Sequence, residues 1–337
     1  MGPTGRELVW QTLRRECPVR APRQLWYLPW AEIHHPEALK RILETYPPDI
    51  LSAPGFQVKP IPSLGNATGV GTYIDEFGCE FVNIQDGVIG EVKHPQIRNW
   101  ESDAPAVRFP REHFTVDTDR VNTWCAGQNQ FILAGCCPRP FEQLQFLRGT
   151  TDLYMDLMIQ PAPMLAFMND LHDFYCRVLE LWARTDVDAL TFMDDWGSQR
   201  SLLIAPELWR TFFKPMYRDY IDIAHGAGKA AFMHSDGYIL DIFPDLVELG
   251  LDAVNSQLFC MDVENLAHFS GKITFWGEID RQHILSEGGP ADARKAVEEV
   301  HRHLWSNGGC IAQCEFGPGG KPDTIEAVFA AWNEIVS

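Results

Sequence analysis

The sequence has no apolar run approaching the length of a bilayer-spanning helix, which argues against a helical membrane anchor. The opening stretch MGPTGRELVWQTLRRECP has no apolar signal-peptide core and reads instead as a short amphipathic helix with Leu8, Val9 and Leu13 inward. Positive charge is scarce. Against 46 Asp and Glu there are 28 Lys and Arg, so the formal charge is -18, and attraction to nucleic acid or anionic membrane is disfavoured. No C-x-x-C pair, no Gly-rich phosphate loop after a strand-like run, no internal repeat and no low-complexity linker is present. Nine cysteines without a secretory signal are expected to be reduced, their odd number argues against a closed disulfide set, and the expected compartment is the cytoplasm.

What is present is ample apolar material, 45% of 337 residues, and a regular alternation. With no linker to divide it, residues 1–337 are expected to form one domain, with an N-terminal helix and an irregular insertion around 55–120 that has room for a hairpin. Asn169 is placed to cap a helix carrying Leu171, Phe174, Val178, Leu181 and Trp182, and ALTFMDD (189–195) follows as a buried strand. Pro206 opens the next helix, expected to kink near Pro215 and to end at GAG (226–228), after which KAAFMHSD is a strand. Helix 240–249, strand DAVNSQ, strand ITFWGEID, a helix from Pro290, strand GGCIAQCEF and a last helix started by Asp323 and Glu326 continue the rhythm. Adding LWYLPW, DILSA and FILAG gives about eight strands, mostly followed by helices, which is the pattern of a (β/α)8 TIM barrel. An open doubly wound sheet is the runner-up, and the missing phosphate loop counts against it.

In such barrels chemistry sits at the C-terminal ends of strands. The polar residues falling there are Asp194 and Asp195, His234 and Asp236, Gln257, Glu278, Asp280, Cys314 and Glu315, joined by Trp30 and Cys136. His234 and Asp236 are two apart, so on a strand they share a side and can share a ligand. Asp195, His234 and Asp236 are the candidate catalytic groups; Asp194 and Gln257 can hold a substrate, and Trp30 and Trp196 can wall a flat one. His234, Asp236 or Glu278, and Cys314 would offer a nitrogen, an oxygen and a thiolate, and three protein ligands with an open fourth position is the catalytic zinc pattern.

The segments TYIDEFGCEF (72–81), RPFEQLQFLRG (139–149), TFMDDWGSQ, KPMYRDYIDIAHGAGK, FMHSDGYILDIFPDLVELGLDAVNSQ, ITFWGEID and GGCIAQCEFGPGG resemble the uroporphyrinogen decarboxylase superfamily across nearly the whole chain. The resemblance implies a (β/α)8 barrel and one of two activities: cofactor-free decarboxylation, or methyl transfer with a corrinoid protein. The decarboxylases carry an Arg-Gln-Ala-Gly-Arg segment near the N-terminus; RQLWYLPWAEIH (23–34) has Arg23 and no second arginine. The resemblance is therefore closer to the methyltransferase branch. Those enzymes bind zinc through His-x-Cys and a later cysteine; His234 and Cys314 match, Asp236 stands in place of the middle cysteine, and Glu278 is the candidate for a changed ligand set. The implied function is movement of a methyl group between a small O-, N- or S-methyl compound and the corrinoid of a partner protein, with zinc as the implied metal. The alternatives are a decarboxylase using Asp75 or Asp195, and a non-catalytic binding barrel. Oligomeric state stays open, a homodimer being one outcome.

Overall fold

The protein is described here by a computed structural model covering residues 2–336. Eleven strands are present among them: β1 (Arg23–Tyr27), β2 (Ile50–Ser52), β3 (Gly71–Ile74), β4 (Glu80–Asn83), β5 (Glu91–Val92), β6 (Phe131–Leu133), β7 (Ala189–Met193), β8 (Ala230–Ser235), β9 (Ala253–Ser256), β10 (Thr274–Trp276) and β11 (Cys310–Phe316). Eight of them form a parallel sheet in the order β1-β11-β10-β9-β8-β7-β6-β2. The two edges, β1 and β2, are joined where the Asp49 N–H donates to the Arg23 carbonyl at 2.8 Å. The result is a nearly closed (β/α)8 barrel. The insertion holds the antiparallel sheet β3-β4-β5, one strand more than a hairpin.

The helices are α1 (Gly5–Arg14), α2 (Pro29–His34), α3 (Pro36–Thr45), α4 (Thr118–Ala126), α5 (Pro140–Arg148), α6 (Thr150–Ile159), α7 (Ala162–Ala183), α8 (Pro206–Gly226), α9 (Phe243–Glu248), α10 (Val263–Leu266), α11 (Pro290–Leu304) and α12 (Pro322–Val336). No described helix is long and apolar enough to cross a membrane, and all nine cysteines are free.

Side-chain alternation divides each barrel strand between two cores. Phe131, Leu133, Ala189, Ala230, Phe232, Ala253, Trp276 and Ile311 pack together inside the barrel. Leu190, Phe192, Ala231, Met233, Cys310, Ala312 and Cys314 pack outward against the helices. Helix α1 closes the N-terminal end: Val9 is fully buried in the inner cluster and Trp10 meets the edge of Phe131 at 5.4 Å. A capping box of Thr4 and Glu7 starts that helix.

Two expected boundaries and one expected cap differ. Pro29 takes the first position of α2, so β1 ends at Tyr27 and Trp30 belongs to a helix, not a strand end. Helix α7 begins at Ala162 after Pro161 because Met164, Phe167 and Met168 extend the buried face upstream; Asn169 is mid-helix and exposed. Helix α8 keeps its expected bounds, Pro206 to Gly226, with Pro215 inside it. Glu326 does not complete a box with Asp323; it takes the Arg41 guanidinium at 3.1 Å.

Candidate functional site

The loops leaving β7 and β8 cross at two glycines. A Cβ on Gly237, whose φ is +79°, would lie 2.0 Å from the Gly197 carbonyl oxygen, and one on Gly197 would lie 2.2 Å from the Tyr238 nitrogen. Only glycine tolerates that approach, and Gly237 alone of the two also needs a left-handed backbone. The crossing is pinned by the Gly197 N–H donating to the Asp236 carbonyl at 3.1 Å and the Tyr238 N–H donating to the Ser198 carbonyl at 2.7 Å. Asp195 and Asp236 are thereby held side by side, the Asp236 N–H donating to Asp195 Oδ1 at 3.0 Å.

His234 stands against both. It shares the inward side of β8 with Ala230 and Phe232, and its Nε2 lies 3.5 Å from Asp195 Oδ1 and 3.8 Å from Asp236 Oδ1. Its Nδ1 is 2.6 Å from Asn255 Oδ1, and the Asn255 amide donates in turn to the Trp276 carbonyl, so Nδ1 carries the proton and Nε2 faces the carboxylates. Burial would lower the His234 pKa, but the hydrogen bond it donates to Asp195 and the charges of Asp236 and Asp195 outweigh it and lift it to about 9. Asp195 is raised by burial and lowered more by His234, which leaves it below the usual carboxylate range.

A second layer surrounds this group. The Arg281 guanidinium binds Asp236, takes Glu315 at 3.0 Å and lies 3.7 Å from Glu278. Glu278 is 2% exposed, and burial, opposed in part by Arg281, raises its pKa to about 8. Glu142 in the first turn of α5 is raised to about 7, by burial first and then by the charge of Asp195. At neutral pH the mouth therefore combines an ionised Asp195 and a protonated His234 with carboxyls, Glu278 and Glu142, whose hold on a proton is strengthened.

Two hollows adjoin these groups. One of about 440 Å³ is lined by Trp26, Leu133, Cys136, Thr191, His234 and Trp276. The other, of about 410 Å³, is lined by Gln199, Gln257, Phe259, Glu278 and Arg281, with Gln257 Oε1 accepting from Gln199 Nε2 at 3.1 Å.

Several expected site residues are elsewhere. Asp194 is fully buried on the helical side, where Oδ2 accepts the Tyr217 hydroxyl at 2.6 Å and Oδ1 the Glu142 N–H at 2.8 Å; it does not face a substrate. Trp196 has no exposure: it stacks on Phe141 at 4.2 Å and donates its indole N–H to Tyr217, so it is core and not a pocket wall. Trp30 packs on His34 and His35 in its own helical segment. Cys314 belongs to the outer core, facing away from His234, so the set His234, Cys314 and Glu278 is not assembled around one point. Asp75 is tied into its own turn by the N–H groups of Phe77 and Cys79.

A thiolate zinc site therefore does not fit, but a carboxylate–imidazole site does. Asp195, His234 and Asp236 each present a ligand atom, all within 4.8 Å of one another. Asp236 Oδ1 and Glu278 Oε1 are buried without a hydrogen-bond partner, and oxygen-rich donors suit a divalent cation. Sequence reasoning missed Arg281, Glu142 and Asn255. Of these, Asn255 alone carried a signal, as the polar inward position of β9 in register with His234.

Among solved structures, the chain is similar to a methyltransferase from Methanosarcina mazei, at 13% identity over 99% of this chain and 100% of the other, with a TM-score of 0.69. That likeness concerns the fold. A B12-independent methionine synthase from a Shewanella species (12% identity, 65% of this chain and 66% of that one, TM-score 0.43) is too remote to argue from. So is an endo-beta-1,4-xylanase from Gloeophyllum trabeum (12%, 96% and 99%, TM-score 0.45). No curated protein matches significantly. The uroporphyrinogen decarboxylase family profile matches residues 72–335, more than three quarters of the sequence, and the chain belongs to that family.

Proposed function

We propose that the protein is the methyltransferase component of a corrinoid-dependent system, acting on a small O-, N- or S-methyl compound together with a corrinoid-carrying partner protein. The observation that carries the reading is the clustering of Asp195, His234 and Asp236 donor atoms within 4.8 Å at the barrel mouth. Family membership and the overall fold are compatible with it. Reception of a polycarboxylate is disfavoured by this mouth: Arg281 is already engaged by Asp236, Glu278 and Glu315, and Arg23 lies at the opposite end of its strand with its guanidinium on Asn333.

Asp195, His234 and Asp236 would hold a divalent cation, which when bound supplies Lewis acidity toward the heteroatom that loses or gains the methyl group. Asn255 holds the Nδ1–H of His234, so Nε2 is the nitrogen turned to the cation, which would displace its proton. Arg281 orients Asp236. A heteroatom that departs as an anion, as from a methyl ether, must gain a proton, and Glu142, with its pKa near neutrality, is the carboxyl suited to give it. Asp195, ionised, is a ligand and not the acid. The apolar hollow beside His234 takes the body of the substrate.

The test is incubation with a reduced corrinoid protein and a panel of methyl ethers, methylamines and thioethers, followed by the cobalt absorption spectrum. Methylation of the corrinoid by at least one donor is expected. Carbon dioxide release from a carboxylic acid with no corrinoid present would replace this reading with the decarboxylase one.

A further inference from the structure

Outside the barrel mouth, three side chains of different ligand type meet on the α7–α8 face. His172 and Cys176 are four residues apart on α7 and so lie on one side of it. Asp219 comes from α8, and the three ligand atoms lie within 4.8 Å of one another. His172 Nε2 is 3.6 Å from Cys176 Sγ and 2.8 Å from Asp219 Oδ2. Two ligands on a tetrahedral zinc, with metal–sulfur and metal–nitrogen bonds of ordinary length, stand about 3.6 Å apart. The Nε2–Sγ spacing is that of a shared ion, but Sγ is also 3.8 Å from Nδ1 and so lies over the ring; a turn of the Cys176 side chain brings it off that face toward the Nε2 lone pair. Asp219, 56% exposed, has only to draw back by about 0.5 Å to reach the corresponding oxygen position.

We propose that His172, Cys176 and Asp219 form a second cation site, for a borderline-soft divalent ion such as zinc, which clips α7 to α8. Nothing in it depends on the methyl-transfer reading. The Tyr220 hydroxyl lies 3.5 Å from His172 Nδ1 and steadies the ring with Nε2 outward. Asp219, Asp173 and Glu180 make the surroundings negative: burial first, and these charges after it, hold the Cys176 thiol up at about 12. The same field draws in a dication, whose binding displaces the thiol proton to solvent as the metal–sulfur bond forms. A fourth position faces out beside the exposed Asp219, open to water.

Titration of the metal-stripped protein with Co(II) tests this, because a thiolate ligand adds a near-ultraviolet charge-transfer band that carboxylates and imidazoles do not give. The band is expected in the wild type and in Asp195→Asn/Asp236→Asn, with loss in Cys176→Ser and about tenfold weaker binding in Asp219→Asn. Zinc should displace the cobalt and raise the melting temperature of the wild type but not of Cys176→Ser. A wild-type titration without the band, or a band that persists in Cys176→Ser, overturns the proposal.

Discussion

Asp194 and Asp195 are adjacent in sequence and face opposite layers of the barrel wall: Asp194 Oδ2 takes the Tyr217 hydroxyl at 2.6 Å among the helices, and Asp195 Oδ1 stands 3.5 Å from His234 Nε2 in the mouth. The two substitutions should therefore separate stability from activity. Asp194→Ala leaves the Tyr217 hydroxyl and the Glu142 N–H without their buried partner, and urea denaturation should show a loss of about 2 to 4 kcal/mol. Asp195→Asn, which keeps an acceptor for the Asp236 N–H but loses the ion pair with His234, should cost clearly less stability than Asp194→Ala and lower kcat by about a hundredfold. Equal losses of stability in both variants would contradict the assignment.

Cys314 faces the outer core, so Cys314→Ser should leave the metal content of the protein unchanged. The cost should be about 1 to 2 kcal/mol of stability, from burying a hydroxyl among apolar groups. Loss of metal in this variant would show that the thiol reaches the mouth.

Glu278 gives a stability signature in pH. Its ordinary value of 4.5, which applies in the unfolded chain, rises to about 8 in the fold because burial disfavours the charged form. The folded state therefore holds a proton that the unfolded state has released. The contribution to stability is full below about pH 4.5 and is lost as pH rises through 8. Between these limits the wild type should lose on the order of 4 kcal/mol more than Glu278→Gln in paired denaturation curves. Parallel curves would show that Glu278 is ionised in the fold, with Arg281 outweighing burial.

Gly237→Ala should cripple the site from its backbone. The substitution puts a Cβ 2.0 Å from the Gly197 carbonyl oxygen at a φ of +79°. Separation of the crossed loops should cost at least about 2 kcal/mol and lower activity together with stability. Wild-type activity with unchanged stability would mean that the crossing does not set the Asp195 and Asp236 spacing.

The barrel was legible because its strands are apolar runs at regular intervals, and the inward pair His234 and Asp236 followed from a period of two. The same period, carried along β7 and β11, puts Asp194 and Cys314 on the outer side; treating every polar strand end as part of the mouth hid that. Trp30 was misplaced because the apolar run LWYLPW continues past the proline that ends β1. Arg281 and Glu142 were out of reach, since one lies in a loop and the other in the first turn of a helix, where no periodicity fixes direction. The glycines at 197 and 237 stood in the sequence, yet their meeting is a tertiary event that local spacing does not encode.

The most direct test of the account is the divalent metal content of the protein, purified without chelator, by elemental mass spectrometry. Carrying Cys176→Ser throughout silences the α7–α8 cluster. About one ion per chain is expected in that background, and it should be lost when His234→Ala or Asp236→Asn is added. No bound ion, or an ion retained in both variants, would contradict the assignment of Asp195, His234 and Asp236 as the cation site on which the proposed methyl transfer depends.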